Sequence, residues 1–363
     1  MKNNILIAST KAITINTFLD NFILACYKKK INISYFTSDI DNIDKNLLND
    51  PYNDFLFSLD LPKRTIDFFK ILNIFKIIIK VRYFLKKNNF KIIFTHTPVV
   101  SHFLRLSSLG LNLNIVYFVH GYRFHKKQNF FSNFTFFIFE YILSFNTKKY
   151  ILINKEDQLI TKKYFSYDYV LINGIGIELI KNPIPKKNIT KNIKIGVVAG
   201  YKKIKGYDDI IYVANKLRSL TFINFITYGY EDYGIYQKKI ISLNLKNIKV
   251  NKFTKNIYNE IDKFDILLHL SKREGLSTIT IQSLHRGVPV IAYDIRGISD
   301  LIIDGYNGFL IKKNNKDLAV KAILKLIDNK DLYQKMQKNC SNSINEKYSK
   351  DNSTKDIFKY LNI

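Results

Sequence analysis

Short apolar runs rich in β-branched residues alternate with segments of helical spacing along almost the whole chain. Runs of this kind are typical of buried strands, and their alternation with helices predicts α/β architecture with parallel sheets. The predicted strands of the first half are ILIAST, NISYFTS, KIIFTHT, NIVYFVH, KYILINK and YVLING. Those of the second half are KIGVVAG, FINFITYG, IKVNKF, DILLHLS, VPVIAYD and GFLIKK. The two sets predict two Rossmann-like domains.

The segment between the two sets breaks this pattern. It reads GIGIELIKNPIPKKNITKN and contains prolines, glycines and polar residues without periodicity, which is typical of an interdomain linker. We therefore predict an N-terminal domain over residues 1–173, a linker over 174–192 and a C-terminal domain over 193–345. Residues 346–363 are predicted to form a helix that returns to the N-terminal domain. The length of 363 residues agrees with two domains, since single cores seldom grow this large.

The turn Arg273-Glu274-Gly275 lies between two of the predicted strands, DILLHLS and VPVIAYD. The residues that separate these runs have helical spacing, so the pattern predicts a strand, a turn, a helix and a second strand. In open parallel sheets, the loop that leaves a strand's carboxyl end and enters a helix often binds ligands, because unpaired backbone N–H groups point out there. The turn is therefore a candidate binding site.

Two further segments are predicted to be helices. In Ile71 to Lys87 the apolar side chains form one stripe, and Lys76, Lys80 and Lys87 fall on another. Two interpretations stay open: an ordinary core-facing helix with a solvated side, or a helix whose cationic face rests on anionic lipid. The aromatic stretch from Phe130 to Phe145 is too short to span a membrane, so we predict a helix buried between the sheet and a partner.

The chain is strongly basic. Its 57 lysine and arginine residues outnumber 30 aspartate and glutamate residues, which gives a formal charge of +27. Such an excess points to a phosphate-bearing partner, whether nucleic acid, anionic lipid or phosphorylated substrate, but compositional drift toward Lys, Asn and Ile would produce the same excess. The distant cysteines Cys26 and Cys340, and the lack of a signal pattern in MKNNILIAST, predict a cytoplasmic location.

Several classes of protein lack their motifs in this sequence. No G-x-G-x-x-G follows the first strand, which argues against an ordinary nicotinamide enzyme. No Walker sequence, H-E-x-x-H or G-x-S-x-G is present, so the usual motifs that indicate a hydrolase or an ATPase are missing. Stacking and groove-reading motifs are also missing, so only the charge favours a nucleic-acid binder, and we expect no nucleic-acid partner.

The second half resembles the family 4 glycosyltransferases. In that family a Glu-Gly turn after a strand is followed by G-x-P-V-I and a glycine-rich turn, and here Glu274-Gly275, RGVPVIAYDIRG and DGYNGFLI occupy those places in order. Residues 92–125, IIFTHTPVVSHFLRLSSLGLNLNIVYFVHGYRFH, are similar to the H-T-H-x-P and H-G-F-x-F pattern of the capsule and O-antigen branch. The resemblance covers nearly the full chain. It implies retaining enzymes of the GT-B fold, in which two Rossmann-like domains have parallel sheets facing across a cleft.

The resemblance implies roles for the residues around the Glu-Gly turn. Glu274 takes the place of the carboxylate that contacts the transferred sugar, and Gly275, Leu276 and Ser277 follow it in the loop that binds the donor. The next functional carboxylate of the family falls on Gln282, whose neutral amide makes weaker hydrogen bonds to ribose than a carboxylate would.

The resemblance also implies a diphosphate-binding loop in AGYKKIKG. Lys205-Gly206 matches the Lys-Gly pair whose cation grips the donor diphosphate. The arginine that the family places upstream is absent or replaced by Lys202 or Lys203. Cations here would stabilise charge that develops on the departing diphosphate.

Histidines mark the ends of two predicted strands of the first half. His120 ends NIVYFVH, and in relatives this histidine lies near the donor sugar, so His120, Glu274 and Lys205 are the candidate catalytic residues. His96 ends a neighbouring strand, and Arg123 and His125 follow in the loop after His120; these three are candidates for the acceptor side of the cleft. Their spacing does not suit a metal site, so we expect no metal and no cofactor, with a nucleotide sugar as substrate.

Together these features predict a retaining hexosyl or N-acetylhexosaminyl transferase. Its donor would be a nucleotide diphosphate sugar, with UDP the favoured nucleotide, and its acceptor a saccharide on a polyprenyl diphosphate in lipopolysaccharide O-antigen or capsule assembly. Such an enzyme would be peripheral on the anionic cytoplasmic face of the inner membrane. Two alternatives remain: a catalytically weak nucleotide-sugar-binding partner of another transferase, and a nucleotide-sugar epimerase on the same fold.

Overall fold

The computed structural model describes residues 4–44, 47, 53–58, 71–124, 130–180, 192–230 and 233–363. The chain divides into two compact units. Unit 1 comprises Met1–Ile175 together with Lys350–Ile363, and unit 2 comprises Gly176–Ser349. Each unit is an α/β body with its own parallel sheet, so the predicted fold class is confirmed.

The sheet of unit 1 has seven strands in the order β3-β2-β1-β4-β5-β6-β7. They are β1 (Asn4–Ala8), β2 (Asn32–Thr37), β3 (Asn53–Ser58), β4 (Ile92–His96), β5 (Ile115–Val119), β6 (Lys149–Leu152) and β7 (Tyr169–Leu171). Six of these were predicted from apolar runs, and β3 was missed. Its run DFLFS is short and closely follows Asn, Asp and Pro residues, and it pairs with β2 at the edge of the sheet.

Helices cover both faces of this sheet. Between and after the strands lie α1 (Ala12–Phe18), α2 (Asp20–Lys28), α3 (Ile71–Lys87), α4 (Pro98–Ser107), α5 (Phe130–Ser144) and α6 (Lys155–Tyr164). Since crossovers between parallel strands are right-handed, the strand order puts α3, α4 and α5 on one face and α1 and α2 on the other. In keeping with this, α3 packs against α4, and α4 packs against α5.

The predicted apolar stripe of α3 faces the core. Val81 and Leu85 are buried in one cluster with the strand residues Leu6 and Ile93. The three other stripe residues pack against the same cluster: Ile74, Ile77 and Ile78. The predicted cationic residues are exposed: Lys76, Lys80 and Lys87.

The aromatic stretch forms helix α5, as predicted, and the burial of its outer side by a partner stays a prediction. Phe130 and Phe131 are 82% and 78% exposed, whereas Glu140 is 5% exposed. The helix therefore turns its carboxylate inward and most of its aromatic side chains outward. In the described part of the chain, no helix combines the length and the apolar character that crossing a membrane requires.

The sheet of unit 2 has six strands in the order β10-β9-β8-β11-β12-β13. They are β8 (Ile193–Val198), β9 (Ile223–Tyr228), β10 (Ile248–Asn251), β11 (Ile266–His269), β12 (Val290–Tyr293) and β13 (Gly308–Ile311), and each was predicted. The helices are α7 (Tyr207–Lys216), α8 (Tyr233–Ser242), α9 (Ile257–Ile261), α10 (Thr278–His285), α11 (Lys316–Asp328) and α12 (Lys330–Ser343).

The chain ends in α13 (Lys350–Leu361), which belongs to unit 1. Lys350 Nζ donates to Asp20 at 2.8 Å, and Lys149 Nζ donates to the carbonyl oxygen of Tyr360 at 2.8 Å. The chain therefore leaves unit 1, builds unit 2 and returns to unit 1. Within the segment predicted as the linker, residues 181–191 lie outside the described residues.

Candidate functional site

The strand order of unit 2 reverses between β8 and β11, which are neighbours in the sheet but not in the sequence. In open parallel sheets, a crevice forms outside the carboxyl ends of such a pair of strands, and ligands bind there. The loop after β8 carries Lys202 and Lys205, and the loop after β11 carries Glu274 and Gly275. The fold thus brings together the two loops that were predicted to bind a donor.

Gly206 determines the path of the first loop. Its φ is 78°, in the left-handed region that residues with side chains avoid. A Cβ atom at this position would lie 2.0 Å from the carbonyl oxygen of Leu270, just beyond β11. A glycine here therefore allows the loop to lie against the end of β11, where Lys205 reaches the second loop.

Glu274 is the centre of the contacts between the loops. Its Oε1 accepts hydrogen bonds from Lys205 Nζ at 2.8 Å and from His269 Nε2 at 3.2 Å. Burial favours the neutral acid, but the bond from His269 and the charge of Lys205 outweigh it and hold the pKa of Glu274 at about 2. The group is therefore a carboxylate at neutral pH. It can accept bonds from ligand hydroxyls, while the neighbouring ammonium can receive a phosphate oxygen.

Gly275, Leu276 and Ser277 form the rest of the second loop and lead into α10. Ser277 caps this helix, since its Oγ accepts a hydrogen bond from the N–H of Thr280 at 3.3 Å. A Cβ atom on Gly297 would lie 2.0 Å from the carbonyl oxygen of Gly275, so the glycine turn after β12 packs directly under the loop. The first amides of α10 are those that helices leave without an internal partner, which suits them to bind anions.

Two other predicted donor residues lie in the same loops and helix. Lys202 is exposed in the loop that also carries Lys205, and Gln282 is half-buried in α10. The roles assigned to Lys202 and Gln282 stay predictions.

Sequence reasoning missed the residues that hold these loops. His269 is buried at the end of β11 and bonds Glu274, and the signal for it was a polar residue in the apolar run DILLHLS. Asp209 accepts a bond from Tyr293 Oη at 3.0 Å and pairs with Lys272 Nζ at 3.2 Å. Asp209 thereby ties the start of α7 to β12 and to the loop after β11.

The histidines of unit 1 also lie side by side. His96 Nδ1 is 3.1 Å from His120 Nε2, so one ring donates a hydrogen bond to the other. Both rings stack on Phe118, with ring centroids 4.9 and 4.5 Å from it. Burial lowers the pKa of His120 to about 4, and burial together with the neighbouring His120 lowers the pKa of His96 well below its ordinary value. The pair is therefore neutral at neutral pH.

The loops around this pair contain the remaining predicted residues of unit 1. The guanidinium of Arg123 lies 5.5 Å from the ring centroid of Phe136, and His125 lies outside the described residues. Thr97, which sequence reasoning missed, has a φ of 66°, and its Oγ1 accepts a bond from the N–H of Thr10 at 2.9 Å. A β-branched residue in the left-handed region is rare and indicates a backbone held by its surroundings.

The predicted site residues thus form two groups, one in each unit. Unit 1 holds the neutral histidine pair, and unit 2 holds the charged cluster of Glu274, Lys205 and His269. Among the residues that the structure describes, no cluster of three or more His, Cys, Asp or Glu side chains could hold a metal ion.

The histidine pair predicts a pH dependence of stability. Because the pKa of His120 is about 4 in the folded chain, against an ordinary value of 6.5, the unfolded chain binds more protons between these values. Stability is therefore complete above pH 6.5 and falls as the pH drops from 6.5 toward 4, by about 2 kcal/mol from His120 alone between pH 7 and pH 5. Urea unfolding at several pH values measures this loss, and His120→Gln should reduce it. An equal loss in that variant and the parent would contradict the assignment.

Comparison with known proteins shows similarity to glycosyltransferases. Residues 180–343 match the family model described as glycosyl transferases group 1, a stretch that covers nearly all of unit 2. Over this stretch, less than half of the chain, the protein is similar to the group 1 glycosyltransferases, and its fold is that of the GT-B glycosyltransferases.

Individual relatives agree with this class. The chain is 26% identical to an uncharacterized glycosyltransferase of Methanocaldococcus jannaschii, over 90% of this chain and 94% of the relative. It is 23% identical to an Escherichia coli UDP-Gal:alpha-D-GlcNAc-diphosphoundecaprenol alpha-1,3-galactosyltransferase, over 74% of each chain. The crystal structure of Anabaena HepE in complex with UDP and glucose superposes with a TM-score of 0.74 at 15% identity, over 99% of each chain.

Proposed function

We propose that the chain is a retaining glycosyltransferase that takes a sugar from a UDP-linked donor and transfers it to a saccharide on a polyprenyl diphosphate. The observation that carries the proposal is the contact of 2.8 Å between Lys205 and Glu274 at the switch point of unit 2. A cation and a carboxylate held together there suit a ligand that carries both phosphates and sugar hydroxyls.

Different residues of unit 2 bind different parts of such a donor. The ionised carboxylate of Glu274 accepts hydrogen bonds from hydroxyls of the transferred sugar and so orients its anomeric carbon. Lys205 exchanges part of its contact with Glu274 for a diphosphate oxygen, and it stabilises the charge that grows there as the sugar leaves. The first amides of α10 bind a further phosphate oxygen, and Gln282 bonds the ribose.

The acceptor and its location are inferred from a relative and from surface charge. The Escherichia coli relative is named for transfer to a sugar on diphosphoundecaprenol. The exposed lysines of α3 suit a membrane that carries such lipids, because each lysine near an anionic surface contributes about 1 kcal/mol of attraction. We therefore place the enzyme peripherally on the cytoplasmic face of the inner membrane, in O-antigen or capsule assembly.

One specific observation favours a second candidate, a nucleotide-sugar-binding partner with little activity of its own. Gln282 stands where the family has a carboxylate, and a neutral amide bonds hydroxyls less strongly than a charged group. If this weakens donor binding, Gln282→Glu should tighten it by about 1 kcal/mol, roughly a factor of five.

A donor screen tests the proposed function. Each nucleotide sugar is offered to the purified chain together with a membrane fraction, and both nucleotide release and sugar transfer are measured. We expect turnover with one UDP-sugar, with Gln282→Glu showing tighter donor binding in a parallel titration. Binding without turnover would favour the partner, and absence of binding to all nucleotide sugars would contradict both candidates.

A further inference from the structure

Helix α5 presents an aromatic stripe to solvent. Phe130, Phe134 and Phe145 are 82%, 54% and 78% exposed, and Ile138 and Tyr141 lie between them on the same line. The spacing of three or four residues places the first four of these along the chain on one side of the helix, and Phe145 follows directly after its last residue, Ser144. Phe131 and Ile142, which are also exposed, widen the stripe. An exposed apolar surface of this extent marks an interaction site rather than an ordinary surface.

The inward side of the same helix fixes this orientation. Glu140 is buried and accepts bonds from Arg105 Nη2 at 2.8 Å and from His102 Nε2 at 2.7 Å, both from the neighbouring α4. Rotation of α5 to bury its aromatic side would separate a buried carboxylate from both partners, which is costly. The buried bonds of Glu140 therefore fix the rotation of α5 and keep its aromatic stripe exposed.

Helix α3, in the same helix layer, has a similar outer face. Phe75, Ile79 and Tyr83 follow one another at intervals of four residues and are 61%, 66% and 66% exposed. Exposed lysines lie beside them at positions 76, 80, 86 and 87. Within α3 and α5 the only carboxylate is Glu140, and it is buried. The outer faces of these two helices are therefore aromatic and cationic, without negative charge.

We propose that the outer faces of α3 and α5, which we call the aromatic–lysine face, bind the surface of an anionic lipid bilayer. Aromatic and aliphatic side chains at the acyl boundary, with lysines at the headgroups, are the combination that interfacial helices use. A second copy of the chain is a poorer occupant, because it would bring lysines against lysines. This inference deepens the proposed function, since it names the surface that would hold the enzyme near a lipid-linked acceptor.

Vesicle flotation tests the proposal without donor or acceptor, so its outcome is independent of the donor screen. The purified full chain is mixed with vesicles of phosphatidylcholine alone, or of phosphatidylcholine with phosphatidylglycerol. We expect binding to the second kind. Phe130→Ser combined with Phe134→Ser should weaken it by about tenfold for each phenylalanine, because burying such a side chain is worth at least that factor. Phe253→Ser removes a phenylalanine of unit 2 whose exposure, 64%, lies between those of Phe130 and Phe134, and binding should not change.

A second pair of substitutions tests whether the lysines of α3 contribute to vesicle binding. Lys76→Ser combined with Lys80→Ser should weaken binding to the anionic vesicles by about fivefold for each lysine. Added salt should also weaken binding of the parent to these vesicles. Circular dichroism confirms that the variants are folded. The proposal is overturned if the parent binds neither kind of vesicle, if folded variants of both pairs float like the parent, or if the chain is a dimer that the phenylalanine variant converts to a monomer.

Discussion

A Glu274→Gln variant is expected to transfer sugar about a hundredfold more slowly than the parent while remaining folded. The amide keeps the size and shape of the side chain but loses the charge that strengthens its bonds to sugar hydroxyls, so the anomeric carbon is held less well. The ionised state of the parent residue, with its pKa of about 2, makes this loss of charge a real change at neutral pH. Single-turnover transfer rates and thermal unfolding of both proteins measure the two effects separately.

Lys205→Ala provides the companion measurement. Removing a cation that stabilises a growing negative charge should cost about 3 kcal/mol in the transition state. Since Lys205 and Glu274 contact each other and would contact the same donor, the double variant should lose less than the product of the two single losses.

Asp208→Ala is the control for both variants. It breaks an exposed ion pair with Lys239 in the same unit and should leave the rate unchanged. Transfer at the parent rate by Glu274→Gln would make the turn a structural feature only.

The position of Glu274 could be predicted from sequence, but its partners could not. The loop position follows from local pattern, because a strand, a turn and a helix are visible within thirty or so residues of sequence. The contact with Lys205 depends on which strands become neighbours, and β8 and β11 are separated by β9 and β10 in the chain. His269 was missed for a different reason: a histidine in an apolar run is indistinguishable from core until its hydrogen-bond partner is known.

Helix α5 shows a second limit of prediction from the sequence. Apolar residues occupy most of its circumference, so periodicity could not decide which side would be buried. The side of α5 that faces the core is determined by Glu140, whose partners His102 and Arg105 belong to another helix. The sequence therefore predicted the helix but not which of its sides faces the core.

The second large effect is expected from Glu140→Ala, which should destabilise the folded chain by about 3 to 5 kcal/mol. The side chain of Arg105 is fully buried, and its guanidinium lies 4.2 Å from the ring centroid of Tyr117. Loss of Glu140 would leave this cation without its carboxylate in a place that water does not reach. Burial disfavours ionisation of Glu140, yet Arg105 and His102 hold its pKa at about 2, so the pair is charged in the folded state.

Urea unfolding of the full chain, followed by circular dichroism, measures this effect. Asp20→Ala is the matched control in the same unit, because it breaks a partly exposed pair with Lys350 and should cost at most about 1 kcal/mol. Replacing both buried charges, with Glu140→Leu and Arg105→Met, should recover most of the loss, since the penalty comes from one unpaired charge rather than from the missing bond. If the double variant is as unstable as Glu140→Ala, or if Glu140→Ala costs no more than the control, the buried pair does not hold α5 in the way proposed here.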